Sequence, residues 1–249
     1  METHHVHSHA EKKHFKHYLF EFFMLFLAVT LGFFVENERD HYIERKREKE
    51  YIHSIAEDIS QDIYQLDSVI NQRKIKNGMM DSLLYLLNYT KPEEHGNEIY
   101  YYARWLPRTY RFYSNDRTVQ QLNSGNWRLI RNHEVSNALL SYNHTAESIA
   151  IYIESREESL VVLMYPSLCK LFDNRVFENM LKGLGFTRPT NNPQLMTTDK
   201  ETINEFCNRV HFVKNANYFF ISVATSFVES AKKTLKILKR EYGPLTGME

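Results

Sequence analysis

Tyr51 to Ile70 reads YIHSIAEDISQDIYQLDSVI. Ile52, Ile55, Ile59, Ile63, Leu66 and Ile70 recur at spacings of three and four, which puts them on one face of an α-helix. Glu57, Asp58 and Asp62 stand among them. Carboxylates four residues apart share a helical face, so Asp58 and Asp62 can point together. They read either as metal ligands or as a solvated acidic face. No matching His or Glu motif on a second helix supports the metal, so the solvated face is favoured.

Upstream of this stripe, Glu44–Glu50 (ERKREKE) is made wholly of good helix formers. The spacing therefore predicts one membrane-proximal helix over about 37–88. Gly78 is placed as a bend or break before Met79, Met80, Leu83 and Leu87. Further upstream, Phe22–Val35 (FFMLFLAVTLGFFV) carries no charge. At about 1.5 Å per residue it covers about 21 Å, short of a hydrocarbon core of about 30 Å. Extending the run back to Tyr18 adds a turn and includes Glu21. Phe15, Lys16 and Tyr18 then fall at headgroup level, where aromatic rings anchor and Lys snorkels. Residues 18–36 thus read as a transmembrane helix. A cleaved signal peptide fits less well, because no small-residue cleavage pattern follows; a buried core helix is the other alternative. Glu21 either reaches the headgroups or is protonated, or it contacts a neighbouring membrane helix.

Residues 1–17 form a His-rich tail with His4, His5, His7, His9, His14 and His17. Imidazoles bind zinc, copper or nickel, but a flexible tract makes an unselective site, so a solvated polar tail is the favoured reading. Lys12, Lys13 and Lys16 flank the apolar run on one side. Arg39, Arg45, Lys46, Arg47 and Lys49 flank it on the other. That count alone favours a cytoplasmic C-terminal part, though these charges are interleaved with carboxylates and also fit ion pairs on a helix.

Downstream, Lys91–Asn97 (KPEEHGN) reads as a turn. Ile99–Leu106 (IYYYARWL) is a short helix stopped by Pro107. Asp116–Asn123 is a second, with Asn115 or Ser114 as cap and Gly125 as stop. Asn132 caps a long helix with the stripe Val135, Leu139, Tyr142, Ala146, Ile149, Ile153, Arg156, Leu160 and Leu163, a heptad rhythm that Arg156 interrupts. Asp173–Lys182 is a short helix closed by Gly183, and 185–197 is a loop. Thr198-Asp199-Lys200-Glu201 fits a capping box. One or two helices then run to Tyr242, with Phe220, Ala224, Phe227, Ala231, Leu235, Leu238 and Tyr242 on one face and Gly243-Pro244 as the end. Only 8 Gly and 6 Pro in 249 residues leave little for the turns of a strand-rich fold. The fold class expected is all-α: a single N-terminal transmembrane helix continuing into a long helix, then an antiparallel helical bundle over 37–249.

Three segments resemble an uncharacterised family of bacterial single-span membrane proteins. They are Tyr18-Leu19-Phe20-Glu21 with Gly32 and Asn37; Tyr51–Leu66; and Thr118, Leu122, Ser124, Gly125, Leu129, Ile130 and Asn132. The likeness spans most of residues 11–155. It implies an inner-membrane anchor with its N-terminus inside and a periplasmic soluble domain, and it implies no activity. Glu21, Gly32, Asn37, Ser124, Gly125 and Asn132 are the structural candidates that follow.

Composition narrows the function classes. Lys plus Arg and Asp plus Glu both number 31, which argues against bulk nucleic-acid binding. Cys169 and Cys207 match neither a disulfide framework nor a zinc motif and are expected buried and unpaired, with a single bridge as the alternative. Phosphate-loop, dinucleotide, zinc-protease and kinase signatures are lacking. Ser124 has no Gly-x-Ser-x-Gly elbow, so no catalytic residue, cofactor or metal is assigned and the chain is not expected to be an enzyme. Two functions remain. One is a membrane-tethered structural or interaction protein, whose partners are the lipid bilayer, further copies of itself as a homo-oligomer, or another membrane protein. The other is a sensor-type bundle that binds a small ligand and signals through its membrane helix.

Overall fold

The computed structural model describes residues 15–152 and 156–243. The tail with His4, His5, His7, His9 and His14, the flanking Lys12 and Lys13, Ile153 of the long stripe, and Pro244 lie outside the described residues. The rest is all-α apart from one small hairpin. The elements are α1 (Phe15–Tyr89), α2 (Gly96–Trp105), α3 (Arg117–Gln121), α4 (His133–Tyr152), α5 (Glu158–Leu171), α6 (Asn174–Asn179), β1 (Leu181–Lys182), β2 (Gly185–Phe186) and α7 (Lys200–Tyr242). The chain divides into two units, Met1–Glu50 and Tyr51–Glu249.

In the first unit the apolar stretch is one helix long and apolar enough to cross a membrane, and none of its apolar window is buried. Phe20, Phe22, Leu25, Phe33, Phe34 and Val35 are all exposed. Thr30 turns its hydroxyl onto the Phe26 carbonyl at 2.7 Å, which satisfies that donor within the helix itself. Exposed apolar surface on this scale needs a cover that the described residues do not supply.

In the second unit α1 and α7 are antiparallel: Asn217 meets Arg73, Lys214 meets Asp81 and Asn88 meets Cys207. α4 and α5 also run against α7, joined at Tyr142–Phe227 and Lys170–Glu205. Two apolar clusters fill the bundle. One joins Ile52–Ile70 with Val135–Ile149 and Phe220–Leu238. The other joins Met80, Leu83 and Leu87 with α2, α5 and Phe206–Val213.

Several expectations are corrected. α1 passes Gly78 without a break, because helix formers on both sides outweigh the cost of one glycine, about 1 kcal/mol. The long stripe changes phase after Ile149. Instead of Arg156 and Leu163, which are exposed, the chain buries Glu157, Val161, Met164 and Leu168, with Leu160 partly buried against the second cluster. A π-helical turn lies at 156–157, and the buried positions from there on fall one residue later than the fixed repeat places them. The helix expected to run to Lys182 stops at Asn179, and β1 pairs antiparallel with β2 around Gly183 at φ +58°. On α7 the cap is Asp199, which accepts from Thr202 N at 2.8 Å, rather than Thr198. Leu235 packs partly buried against the first cluster as expected, and Thr234 beside it is buried as well. Both cysteines are free, but Cys169 is exposed and only Cys207 is buried.

Candidate functional site

Residues 107–115 form no regular structure, yet they run back along α1, and an extended chain there must have its backbone groups satisfied. The side chains of α1 do this in order. Lys76 donates to the Arg108 carbonyl at 2.6 Å, and Arg73 donates to that of Tyr110. Gln65 accepts from Tyr113 N at 3.3 Å. Asp62 accepts from Ser114 Oγ at 2.7 Å, from the Asn115 backbone and side chain at 2.9 and 2.7 Å, and from Tyr142 Oη at 2.6 Å. Asp58 accepts from Thr118 Oγ1 at 2.6 Å. Asp58 and Asp62 are therefore buried, 6% and 1% exposed, and not the solvated face expected of them. Ser114 and Asn115 are spent on Asp62, so α3 starts after Asp116 without a side-chain cap. Burial first, and the Asp62 charge second, push the Tyr142 phenol upward, which keeps it a donor.

One step further along α1, between the two apolar clusters in sequence, α1, α7 and the residue that precedes α5 contribute buried polar side chains. Arg73 lies over the Phe220 ring at 3.9 Å. Its guanidinium donates to Asn217 Oδ1 at 2.6 Å and to Glu157 Oε2 at 2.7 Å. Asn217 Nδ2 donates to the Arg73 carbonyl at 3.0 Å and to Asn77 Oδ1 at 2.8 Å. Lys76 stands 3.9 Å from Glu157 Oε1, an ion pair beyond hydrogen-bond reach. Burial lowers the Lys76 ammonium to about 8; Glu157 opposes this and Arg73 adds to it. The cost of burying the ammonium exceeds what its attraction to Glu157 returns, which is why the lysine gives way.

At the end of the bundle carrying the second cluster, α2, α5 and α6 surround a cavity of about 550 Å³. Leu168, Phe172, Phe177 and Met196 line its apolar side; Arg104, Lys170 and Arg175 bring cations and Asp173 the one carboxylate among the lining residues. Asp173 is already engaged. It caps α6 through Arg175 N at 2.9 Å and pairs with the Arg175 guanidinium at 2.8 Å, which holds its carboxyl below the usual range. Tyr100 fixes the floor, receiving Asp173 N and donating to the Gln194 carbonyl, both at 3.0 Å. Arg104 is held by rings instead of acids, over Phe186 at 4.5 Å and Phe177 at 5.3 Å. Its Nε is buried with no hydrogen-bond partner among the described residues. A second cavity of about 580 Å³ lies against α5 and α7, and its lining contributes one cation, Arg156.

None of the six structural candidates lines either cavity, although Cys169 lines the first and Arg156 and Leu160 the second. Glu21, Gly32 and Asn37 belong to the first unit. Glu21 is not without a partner: His17 Nε2 lies 3.1 Å from its carboxylate. Nothing stands within 4 Å of a Cβ added at Gly32, and Asn37 is exposed. In the second unit Ser124 donates to the Gln121 carbonyl at 2.7 Å, and Gly125 turns the chain at φ +113°. Asn132 caps α4 through Glu134 N at 2.9 Å and reaches Glu241 at 2.7 Å. Glu57 points to solvent beside His53 at 3.4 Å, apart from Asp58 and Asp62. Among the described residues no group of three His, Cys, Asp or Glu is placed to hold a metal ion. Arg73, Asn77 and Asn217 escaped sequence reading although a signal existed: 66, 70, 73, 77, 80 on α1 and 213, 217, 220 on α7 keep the three-four rhythm, so these polar residues sit in phase with the core. Compared with known proteins, this chain matches no family model, no curated protein and no solved structure.

Proposed function

We propose that this chain is a single-span protein of the bacterial inner membrane whose helical domain serves as an interaction module rather than an enzyme. The observation that carries the reading is the wholly unburied apolar window of α1, beside a second unit that buries two apolar clusters of its own. A helix of that composition is satisfied by lipid or by other membrane helices. Gly32, with open space where a side chain would stand, lets a second copy approach closely. The resemblance of Tyr18–Glu21, Tyr51–Leu66 and Thr118–Asn132 to the uncharacterised single-span family supports a periplasmic second unit. His17 offers Glu21 a partner on its own helix, so self-association is argued from close packing at Gly32.

The test has three arms. Full-length protein should sediment with membranes and resist alkaline extraction; recovery in the soluble fraction defeats the anchor. A membrane-impermeant maleimide should label Cys169, the exposed thiol, in cells with a permeabilised outer membrane only; protection until the inner membrane is lysed puts the second unit in the cytoplasm. Light scattering in detergent should show a dimer or larger species that Gly32→Ile reduces.

A second reading, in which the bundle senses a small ligand, is favoured by the cavity beside α2, α5 and α6. Its volume lies within the roughly 300–1,000 Å³ of small-molecule sites.

A further inference from the structure

We propose that the cavity beside α2, α5 and α6 binds a small organic anion with a flat apolar body, its charge held by Arg104. This deepens the ligand-sensing reading and rests on it.

The charge balance points to an anion. Arg104, Lys170 and Arg175 against Asp173 leave the lining with two cations in excess, and Asp173 is consumed by Arg175 and by the α6 cap. Lys170 is 60% exposed and shares Glu205 at 3.6 Å with Arg209, so it can turn toward the opening. Arg104 differs from Arg108 and Arg188, which also stack on aromatic rings. Arg108 donates to the Leu184 carbonyl at 3.0 Å and Arg188 pairs with Glu98 at 3.1 Å. Arg104 Nε, by contrast, is buried and finds no acceptor among the described residues. No acidic side chain pairs with Arg104 among the described residues, and a carboxylate is the acceptor that the forked guanidinium of this lining residue fits. The stacking of Arg104 on Phe186 and Phe177 fixes the fork in place before any ligand arrives, which lowers the ordering cost of binding.

The body of the ligand follows from the remaining lining. Leu168, Phe172, Phe177, Met196 and the Tyr165 ring offer apolar and aromatic surface. Rings prefer rings at their edges and offset faces, so an aromatic carboxylate fits better than a sugar or a nucleotide polyphosphate. The same chemistry could come from an anionic lipid, and the experiment separates the two.

Cys169 lines this cavity as a free, exposed thiol, while Cys207 is buried elsewhere in the bundle. Full-length protein in phosphatidylcholine nanodiscs is alkylated with iodoacetamide, and each cysteine is followed by mass spectrometry. Saturable slowing of Cys169 alkylation by 2-naphthoate is expected, with neutral 2-naphthylmethanol weaker by on the order of tenfold. Arg104→Gln should remove that preference for the acid. Lys170→Glu, an exposed substitution that does not threaten the core, should weaken 2-naphthoate in the same direction. No saturable protection overturns the proposal, and so does equal protection by acid and alcohol. Slowing produced by phosphatidylglycerol in the nanodisc and not by 2-naphthoate overturns it in favour of lipid. Protection with no change in oligomeric mass keeps the site and removes only the signalling part of the reading on which it rests.

Discussion

Arg73 and Glu157 form a buried ion pair, 1% and 3% exposed, and such pairs act on stability asymmetrically. Removing one partner strands a charge in a dry site, at a cost of about 3–5 kcal/mol, whereas replacing both with apolar groups of similar size is often close to neutral. Urea denaturation should therefore show Arg73→Met and Glu157→Leu each strongly destabilising and the double variant less so than the sum. Strict additivity in this cycle would mean that the two side chains do not meet. Gly125 is the second residue on which local structure depends. At φ +113° a β-carbon is strained, so Gly125→Ala should lose about 1 kcal/mol or more. An unchanged melting curve would remove the turn from that position.

Among the elements, α1 makes two separate demands. Its continuity through Gly78 predicts that Gly78→Ala stabilises the protein by roughly 0.5–1 kcal/mol, since nothing stands within 4 Å of the added methyl and the unfolded chain loses freedom. A destabilised variant would put the expected bend back. Its polar face carries the return segment. Asp62 receives four hydrogen bonds, from Ser114, from Asn115 twice and from Tyr142. Asp62→Ala should release residues 110–118 first, seen as faster amide exchange there while Val135–Ile149 stays protected. Uniform loss of protection over the whole domain would show that the segment is not an independent layer.

For the whole molecule, the charged layer and the buried phenols make stability depend on pH. Lys76 titrates at about 8 when folded and at 10.5 when free. Between these values the unfolded chain holds the proton and the folded chain does not, so stability rises with pH from about 8, by at most about 1.4 kcal/mol per unit. Burial raises Cys207 above 9.0 and Tyr100, Tyr110 and Tyr142 above 10.0. These groups keep their protons when folded, so stability falls with pH once the free groups begin to ionise. Wild type minus Lys76→Met isolates the lysine from the others. Thermal melts of the full-length pair should diverge between pH 8 and 10 in favour of wild type; parallel curves would mean Lys76 is solvated.

Periodicity and composition by themselves determined that this chain is helical nearly throughout, that one N-terminal helix is long and apolar enough to cross a membrane, and where Asn132 starts a helix. These are local properties: a 3.6-residue repeat, a charge-free run and an Asn before a helix act within a few turns. The tertiary structure decided the rest. Arg73 stands in the core rhythm because its partners lie 37, 84 and 144 residues away, at Tyr110, Glu157 and Asn217. Asp58 and Asp62 look like surface residues on an isolated helix, and only the return of residues 107–118 turns them inward. The one-residue offset of the buried face from Glu157 onward is invisible to a fixed repeat, yet it is Glu157 that meets Arg73 while Arg156 is exposed. The cavity is likewise assembled from α2, α5, α6 and Met196, whose separation along the chain leaves no pattern to read. A polar side chain in a helix is satisfied or exposed according to what packs against it, and that is settled by long-range packing rather than by its neighbours in sequence.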